Sequence, residues 1–182
     1  MECCRVAVVG NSGSGKSTLA SLVADKLHAT FVELDDFAFL PGWRYRPTAE
    51  FRGLVDDALS ADGCWTTAGN WSPVCDIVYQ RADTIVWIDF GFWRTFWQLF
   101  RRTVWRAWAQ PAICGGNYES CLLSFFSVDS VLLDLCRRHS QVRAEFTALF
   151  SSQDERPGVR FVRLDSPASV ETWLAQLTTK HG

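Results

Sequence analysis

The residues with the clearest chemical spacing are Gly10-Asn11-Ser12-Gly13-Ser14-Gly15-Lys16-Ser17, followed by Thr18. They fit the pattern G-x-x-x-x-G-K-[ST], a loop whose free backbone amides cradle phosphates while the lysine and the hydroxyl serve the terminal phosphates and a magnesium ion. The amides would form a concave anion site at the positive end of a helix. In that reading Lys16 reaches the β- and γ-phosphates of ATP, Ser17 ligates Mg2+, and Thr18 bonds the α-phosphate. The binding set is therefore Gly10, Asn11, Ser12, Gly13, Ser14, Gly15, Lys16, Ser17 and Thr18.

Three acids are placed to act beside it. Asp89 follows a largely apolar run and is the expected partner of Ser17 in holding Mg2+ through water, or else a helix cap. Asp35 is the candidate for accepting a proton from a substrate hydroxyl, with Asp36 as the alternative. Arg101, Arg102 and Arg106 are candidates for neutralising charge on the γ-phosphate. Trp43 and Arg44 are candidates for the acceptor side. His28, His139 and His181 show no ligand spacing.

These groups need a scaffold, and the pattern supplies one. Cys4 to Val9 reads as a buried strand, and Leu19, Leu22, Val23 and Leu27 mark the helix after the loop. Phe31 to Leu34 reads as a second strand ending at Asp35-Asp36, and Phe37 to Arg46, with its Pro41-Gly42 turn, as an irregular segment. Thr48 to Ala61 reads as a helix, Cys64 to Ala68 as a strand, and Ser72 to Gln80 as holding a short helix. Thr84 to Asp89 is the clearest later strand. Ser127 is an N-cap candidate for a helix through about Phe150. A strand over 159–164 precedes a helix capped by Ser166 with Pro167 at its first position. Alternating strands and helices predict an α/β fold, a parallel sheet with helices on both faces, whose ligands bind beyond the strands' carboxyl ends.

Phe92 to Trp108 has an unusual composition. On a helix, Trp93, Phe96, Trp97, Phe100, Val104, Ala107 and Trp108 fall on one side, and Arg94, Gln98, Arg101, Arg102 and Trp105 fall largely on the other. Three readings stand: arginines facing bound phosphates, a core-packed helix with a solvated basic face, and a helix lying on a membrane surface. The neighbouring phosphate loop favours the first. Residues 109–126 carry Pro111 and Gly115-Gly116 and read as a flap.

At 182 residues the chain is read as one domain. Its hydrophobic fraction of 48% and charged fraction of 21% are those of an ordinary globule. A net charge of −2 excludes a general polyanion binder, and nothing points to nucleic acid. Seven cysteines without a C-x-x-C pattern are read as reduced, mostly buried thiols. Together with the lack of a signal-peptide pattern, they predict a cytoplasmic location. A membrane partner is disfavoured, and the oligomeric state is open.

The chain resembles the adenylate-kinase-like P-loop proteins often labelled DNA topology modulation protein. The resemblance rests on Gly10 to Thr18, Leu34-Asp35, Pro41-Gly42-Trp43, Gly69-Asn70 ahead of Trp71, Arg81-Ala82-Asp83-Thr84 and Trp87-Ile88-Asp89. It continues through Gly116-Asn117, Glu119-Ser120, Phe126-Ser127 and Asp129-Ser130. It implies a P-loop NTPase of nucleoside-monophosphate-kinase-like fold, a five-stranded parallel sheet, with ATP and Mg2+ as cofactors. It also implies a flap around residues 106–120 within a single domain, 1–182. The chain departs from the family pattern at Ala68, where an acid is usual, at Tyr118, where an arginine is usual, and at Gly91, where a proline is common. The function these features predict is phosphoryl transfer from ATP to a small-molecule acceptor. The alternative is a nucleotide-binding regulator without efficient transfer. A GTPase switch is disfavoured because no N-K-x-D base-reading motif is present.

Overall fold

The computed structural model describes residues 5–59, 63–109 and 131–177. β1 (Arg5–Gly10) runs through Val6, Ala7, Val8 and Val9, all essentially buried, as a strand covered on both faces must be. It leads through the loop into α1 (Lys16–Leu27) and then β2 (Thr30–Glu33). The next elements are α2 (Leu34–Ala38), β3 (Phe39–Leu40), β4 (Arg44–Tyr45) and α3 (Thr48–Ala58). β5 (Trp65–Ala68), α4 (Cys75–Arg81), β6 (Thr84–Ile88) and α5 (Phe92–Ala109) come next. α6 (Val131–Ser151), β7 (Arg160–Leu164) and α7 (Pro167–Gln176) complete the described chain.

Five strands pair in parallel in the order β2-β5-β1-β6-β7, which puts β1 at the centre. Side chains alternate across the sheet. Ala7, Val9, Ile85 and Trp87 face a core shared with Val55, Val78 and Phe146 of α3, α4 and α6. Val6, Val8, Val86 and Ile88 face Leu19 and Val23 of α1 and Trp173 of α7. The predicted sheet with helices on both faces is the observed one. α7 begins as expected, Ser166 accepting from the Ser169 amide in a reciprocal capping arrangement with Pro167 in the first turn.

Three expectations change. Phe37 to Arg46 is regular: the end of α2 leads into an antiparallel hairpin pairing Phe39 with Tyr45 and Leu40 with Arg44. Positive φ angles of 79° at Gly42 and 57° at Trp43 close it. Phe39 packs against both Trp43 and Tyr45. The cysteines are not uniformly reduced and buried, for Cys64 is disulfide-bonded and Cys136 is an exposed thiol. Residue counting could not show this, because a disulfide needs two Cα atoms about 5.5 Å apart.

The third change concerns α5. The side turned inward is Thr95, Leu99 and Thr103, flanked by Phe92, Phe96 and Phe100, and it packs on Leu132 and Leu135 of α6. Trp93, Trp97, Val104 and Trp108, expected on one apolar face with Phe96 and Phe100, are exposed, as is Trp105. Close approach to the loop explains the rotation. A Cβ on Gly13 would lie 2.6 Å from the Leu99 Cβ and 3.2 Å from the Thr95 carbonyl oxygen. This helix face must therefore carry modest side chains, and the loop must carry glycine opposite it. The expected N-cap at Ser127, and the flap beyond Ala109, lie outside the described residues. Among those residues, no helix is long and apolar enough to cross a membrane.

Candidate phosphate-binding site

The loop leaves the carboxyl end of the central strand and passes directly into α1, so its amides sit at that helix's positive end. Its path depends on glycine. Gly10 has φ 145°, and Gly13 and Gly15 have φ 80° and 99°, values that side chains rarely tolerate. A Cβ on Gly10 would also meet the Ile88 carbonyl oxygen at 2.6 Å. Asn70, just beyond β5, fixes the first peptide: its Oδ1 accepts from the Gly10 amide at 3.2 Å and its Nδ2 donates to the Gly10 carbonyl. The Ser14 amide donates to the Asn11 carbonyl at 3.1 Å. The Ser14 hydroxyl is buried without a hydrogen-bond partner, an unmet polar atom of the kind a bound phosphate oxygen would satisfy.

A cavity of about 320 Å³ opens over this loop. Lys16, Arg102 and Arg106 line it together with Glu33 and Asp35, and the floor is formed by Ser12, Gly13, Gly15, Ser17 and Thr18. Gln98, Arg102 and Arg106 reach it from successive turns of α5, the helix seated on Gly13. A second cavity of about 260 Å³ shares Gly15, Thr18 and Gln98 with the first and adds the apolar walls Leu19, Leu22, Phe90 and Val170. One compartment is charged, and its neighbour is mostly apolar.

The Lys16 ammonium donates to the Gly10 and Asn11 carbonyls at 3.0 Å each. Burial lowers its pKa to about 8; Asp35 opposes the shift and Arg102 reinforces it. Burial raises the Glu33 carboxyl to about 7, against the hydrogen bond from Ser17 and with repulsion from Asp35. The Asp35 Oδ1 accepts from the Trp71 indole N–H at 2.7 Å.

These shifts give nucleotide binding a defined pH response. An anionic ligand binds the charged lysine, so affinity is full below about pH 8 and falls as pH rises through it. A carboxylate contribution to a magnesium site grows as pH rises through about 7. Mg-ATP affinity, titrated calorimetrically, is expected to peak between about pH 7 and 8; Glu33→Gln is expected to remove the lower limb and, because Glu33 also raises the Lys16 pKa, to move the upper limb to lower pH.

The comparisons with known proteins agree with this geometry. Residues 6–89 match the family described as ATPase family associated with various cellular activities (AAA). A gluconokinase from Sinorhizobium meliloti 1021 superposes with a TM-score of 0.53 at 18% identity, over 96% of this chain and 93% of that one. A shikimate kinase from Bacteroides thetaiotaomicron superposes with a TM-score of 0.54 at 16% identity, over 94% of each chain. No curated protein matches by sequence. The fold is an α/β P-loop NTPase fold of the nucleoside-monophosphate-kinase-like type.

Within this P-loop fold, Ser12, Gly13, Gly15 to Thr18, Asp35, Arg102 and Arg106 line the charged cavity, and Ser14 lines the apolar cavity next to it. Arg101 is exposed on α5 and Asp36 is exposed on α2, and neither lines the charged cavity. Trp43 and Arg44 belong to the exposed hairpin, where Trp43 packs on Phe39. Asp89 departs furthest from its expected place. Its carboxylate is buried, with Oδ1 held by Arg143 at 3.0 Å and Oδ2 by both Arg143 and Arg163. Two guanidinium groups from α6 and β7 thus take the oxygens that sequence reasoning offered to a metal.

Glu33 stands where that carboxylate was expected, against Ser17. It ends β2 in register with Ala68, the position at which the resembling family carries an acid, so a carboxylate occurs one strand over. A signal was available: Glu33 closes a strand at the carboxyl edge of the sheet. Gln98 was likewise missed as a cavity residue; its buried Oε1 has no partner.

Proposed function

We propose that this chain is an Mg-ATP-dependent phosphotransferase acting on a small hydroxyl-bearing acceptor. The observation that carries the proposal is the charged cavity, where loop amides, Lys16, Arg102 and Arg106 face Glu33 and Asp35. The loop and Lys16 would grip the β- and γ-phosphates, and the apolar compartment beyond Gly15 and Thr18 suits the base and ribose. Ser17 and Glu33 suit Mg2+, a hard cation held by a hydroxyl and a carboxylate, which when bound would neutralise phosphate charge.

Asp35 is proposed to take the acceptor's hydroxyl proton. Trp71 fixes Oδ1, which leaves Oδ2 to face the substrate. Arg102 and Arg106 would stabilise charge spreading over the transferred phosphoryl oxygens. The resemblance to the adenylate-kinase-like proteins labelled DNA topology modulation protein supports the same reading, since Asp35 and Asn70, two of its motif residues, sit at the cavity and at the loop respectively. The gluconokinase and the shikimate kinase named above are kinases by name, and the proposed acceptor class extends that likeness.

The deciding experiment measures ATP consumption and phosphorylated product against nucleosides, nucleotides and sugar acids, with Lys16→Ala as control. Acceptor-dependent turnover that vanishes in the variant is the expected result. Mg-ATP binding with no transfer to any acceptor would replace the proposal with the nucleotide-binding regulator.

A further inference from the structure

α5 carries four arginines, four tryptophans and no carboxylate in 18 residues. Turning about 100° per residue, it divides these groups among three faces. One packs on the loop and α6 through Thr95, Leu99 and Thr103, and a second sends Gln98, Arg102 and Arg106 into the charged cavity. The third holds Trp93, Trp97, Val104 and Trp108, bordered by Arg94, Arg101 and Trp105. On this third face Trp93 is 71% exposed, Trp97 56%, Trp105 55% and Trp108 85%. With each ring system offering about 200 Å² or more, the four leave on the order of 600 Å² of tryptophan surface in solvent. That is the upper end of the largest apolar patch on a typical monomer.

We infer that this outer face of α5 docks the protein onto an anionic lipid surface. Three physical arguments select that occupant. Tryptophan, with an apolar body and one N–H, is the side chain best suited to the headgroup boundary, where one edge is wet and the other is not. The charges that α5 itself sets beside this face, Arg94 and Arg101, are both positive and favour an anionic partner, while Glu171 of α7 shares the cavity that Arg94 lines. A second copy meeting this face by twofold symmetry would set Arg101 near its own counterpart with no carboxylate on either helix to pair it. The helix would lie in the plane of the membrane surface, since its arginines and its packing on the loop preclude spanning.

The inference is independent of phosphoryl transfer. The test co-sediments the full chain with vesicles of phosphatidylcholine alone and of phosphatidylcholine with about one-third phosphatidylglycerol, at low and physiological salt. Binding to the anionic vesicles at least about tenfold stronger than to the neutral ones, weakened by salt and accompanied by a blue shift of tryptophan emission, is the expected result. The triple variant Trp93→Ser, Trp97→Ser, Trp108→Ser is expected to lose that binding about tenfold or more while keeping Mg-ATP affinity and circular dichroism. Its exposed positions make misfolding separable, because those two readouts would register it. No sedimentation with anionic vesicles at low salt would overturn the inference, and so would undiminished binding by the variant. A concentration-dependent dimer that the triple variant abolishes, seen by analytical ultracentrifugation without lipid, would instead assign the face to a second copy.

Discussion

Replacing Lys16 by alanine is expected to weaken Mg-ATP binding by on the order of a hundredfold. The ammonium is charged below about pH 8 and lies at the mouth of the loop, 3.0 Å from the Gly10 and Asn11 carbonyls. A hydrogen bond to a charged phosphate oxygen contributes about 1.5–3 kcal/mol, and loss of the one lysine lining the cavity removes at least one such bond. Arg102 and Arg106 remain in the variant, so residual binding should persist, with a shallower salt dependence because one charge contact is gone. Calorimetric titration at pH 7 measures the effect. Unchanged affinity would mean that the nucleotide does not sit over the loop.

The second large effect belongs to Asp35→Asn. Asparagine keeps an oxygen to accept from the Trp71 indole N–H, which lies 2.7 Å away. The local geometry is therefore retained while the proton acceptor is lost. Turnover on the acceptor identified by the panel should fall by about two to four orders of magnitude, with Mg-ATP affinity held within about threefold. The affinity must be compared near pH 7. Asp35 raises the pKa of Lys16, so its neutralisation lets that ammonium lose its proton earlier and weakens binding above about pH 8. A parallel loss of turnover and affinity would make Asp35 a structural or metal-serving residue.

The two effects separate the roles that the cavity combines. On the proposed reading Lys16 would act on the phosphates and should dominate binding, while Asp35 would act on the acceptor and should dominate rate. Glu33 and Ser17 lie between them, and their contribution should appear in the magnesium and pH dependence. The arginine pair on Asp89 makes that carboxylate a joint between β6, α6 and β7.

The phosphate loop could be read from the sequence because its chemistry is local. The φ values of 80° and 99° at Gly13 and Gly15, and the step into α1, require specific residues at fixed offsets. A linear pattern preserves such offsets. The parallel sheet was legible for a similar reason: strands buried on both faces are nearly continuous apolar runs, as at Val6 to Val9 and Thr84 to Ile88. The outward face of α5 was not legible. Hydrophobicity ranks Trp93, Trp97 and Trp108 as core residues, but Gly13 sets how closely the helix approaches the loop, and only the Thr95–Leu99 side fits that gap. Nor could sequence alone decide between Asp89 and Glu33. Both end strands at the same edge of the sheet, and the partners that distinguish them, Arg143 and Arg163 for one and Ser17 for the other, lie far away in the chain. Sequence determines which groups can do chemistry, because bonding capacity belongs to the residue. Tertiary structure decides which of them meet, because that depends on which surfaces can pack without overlap.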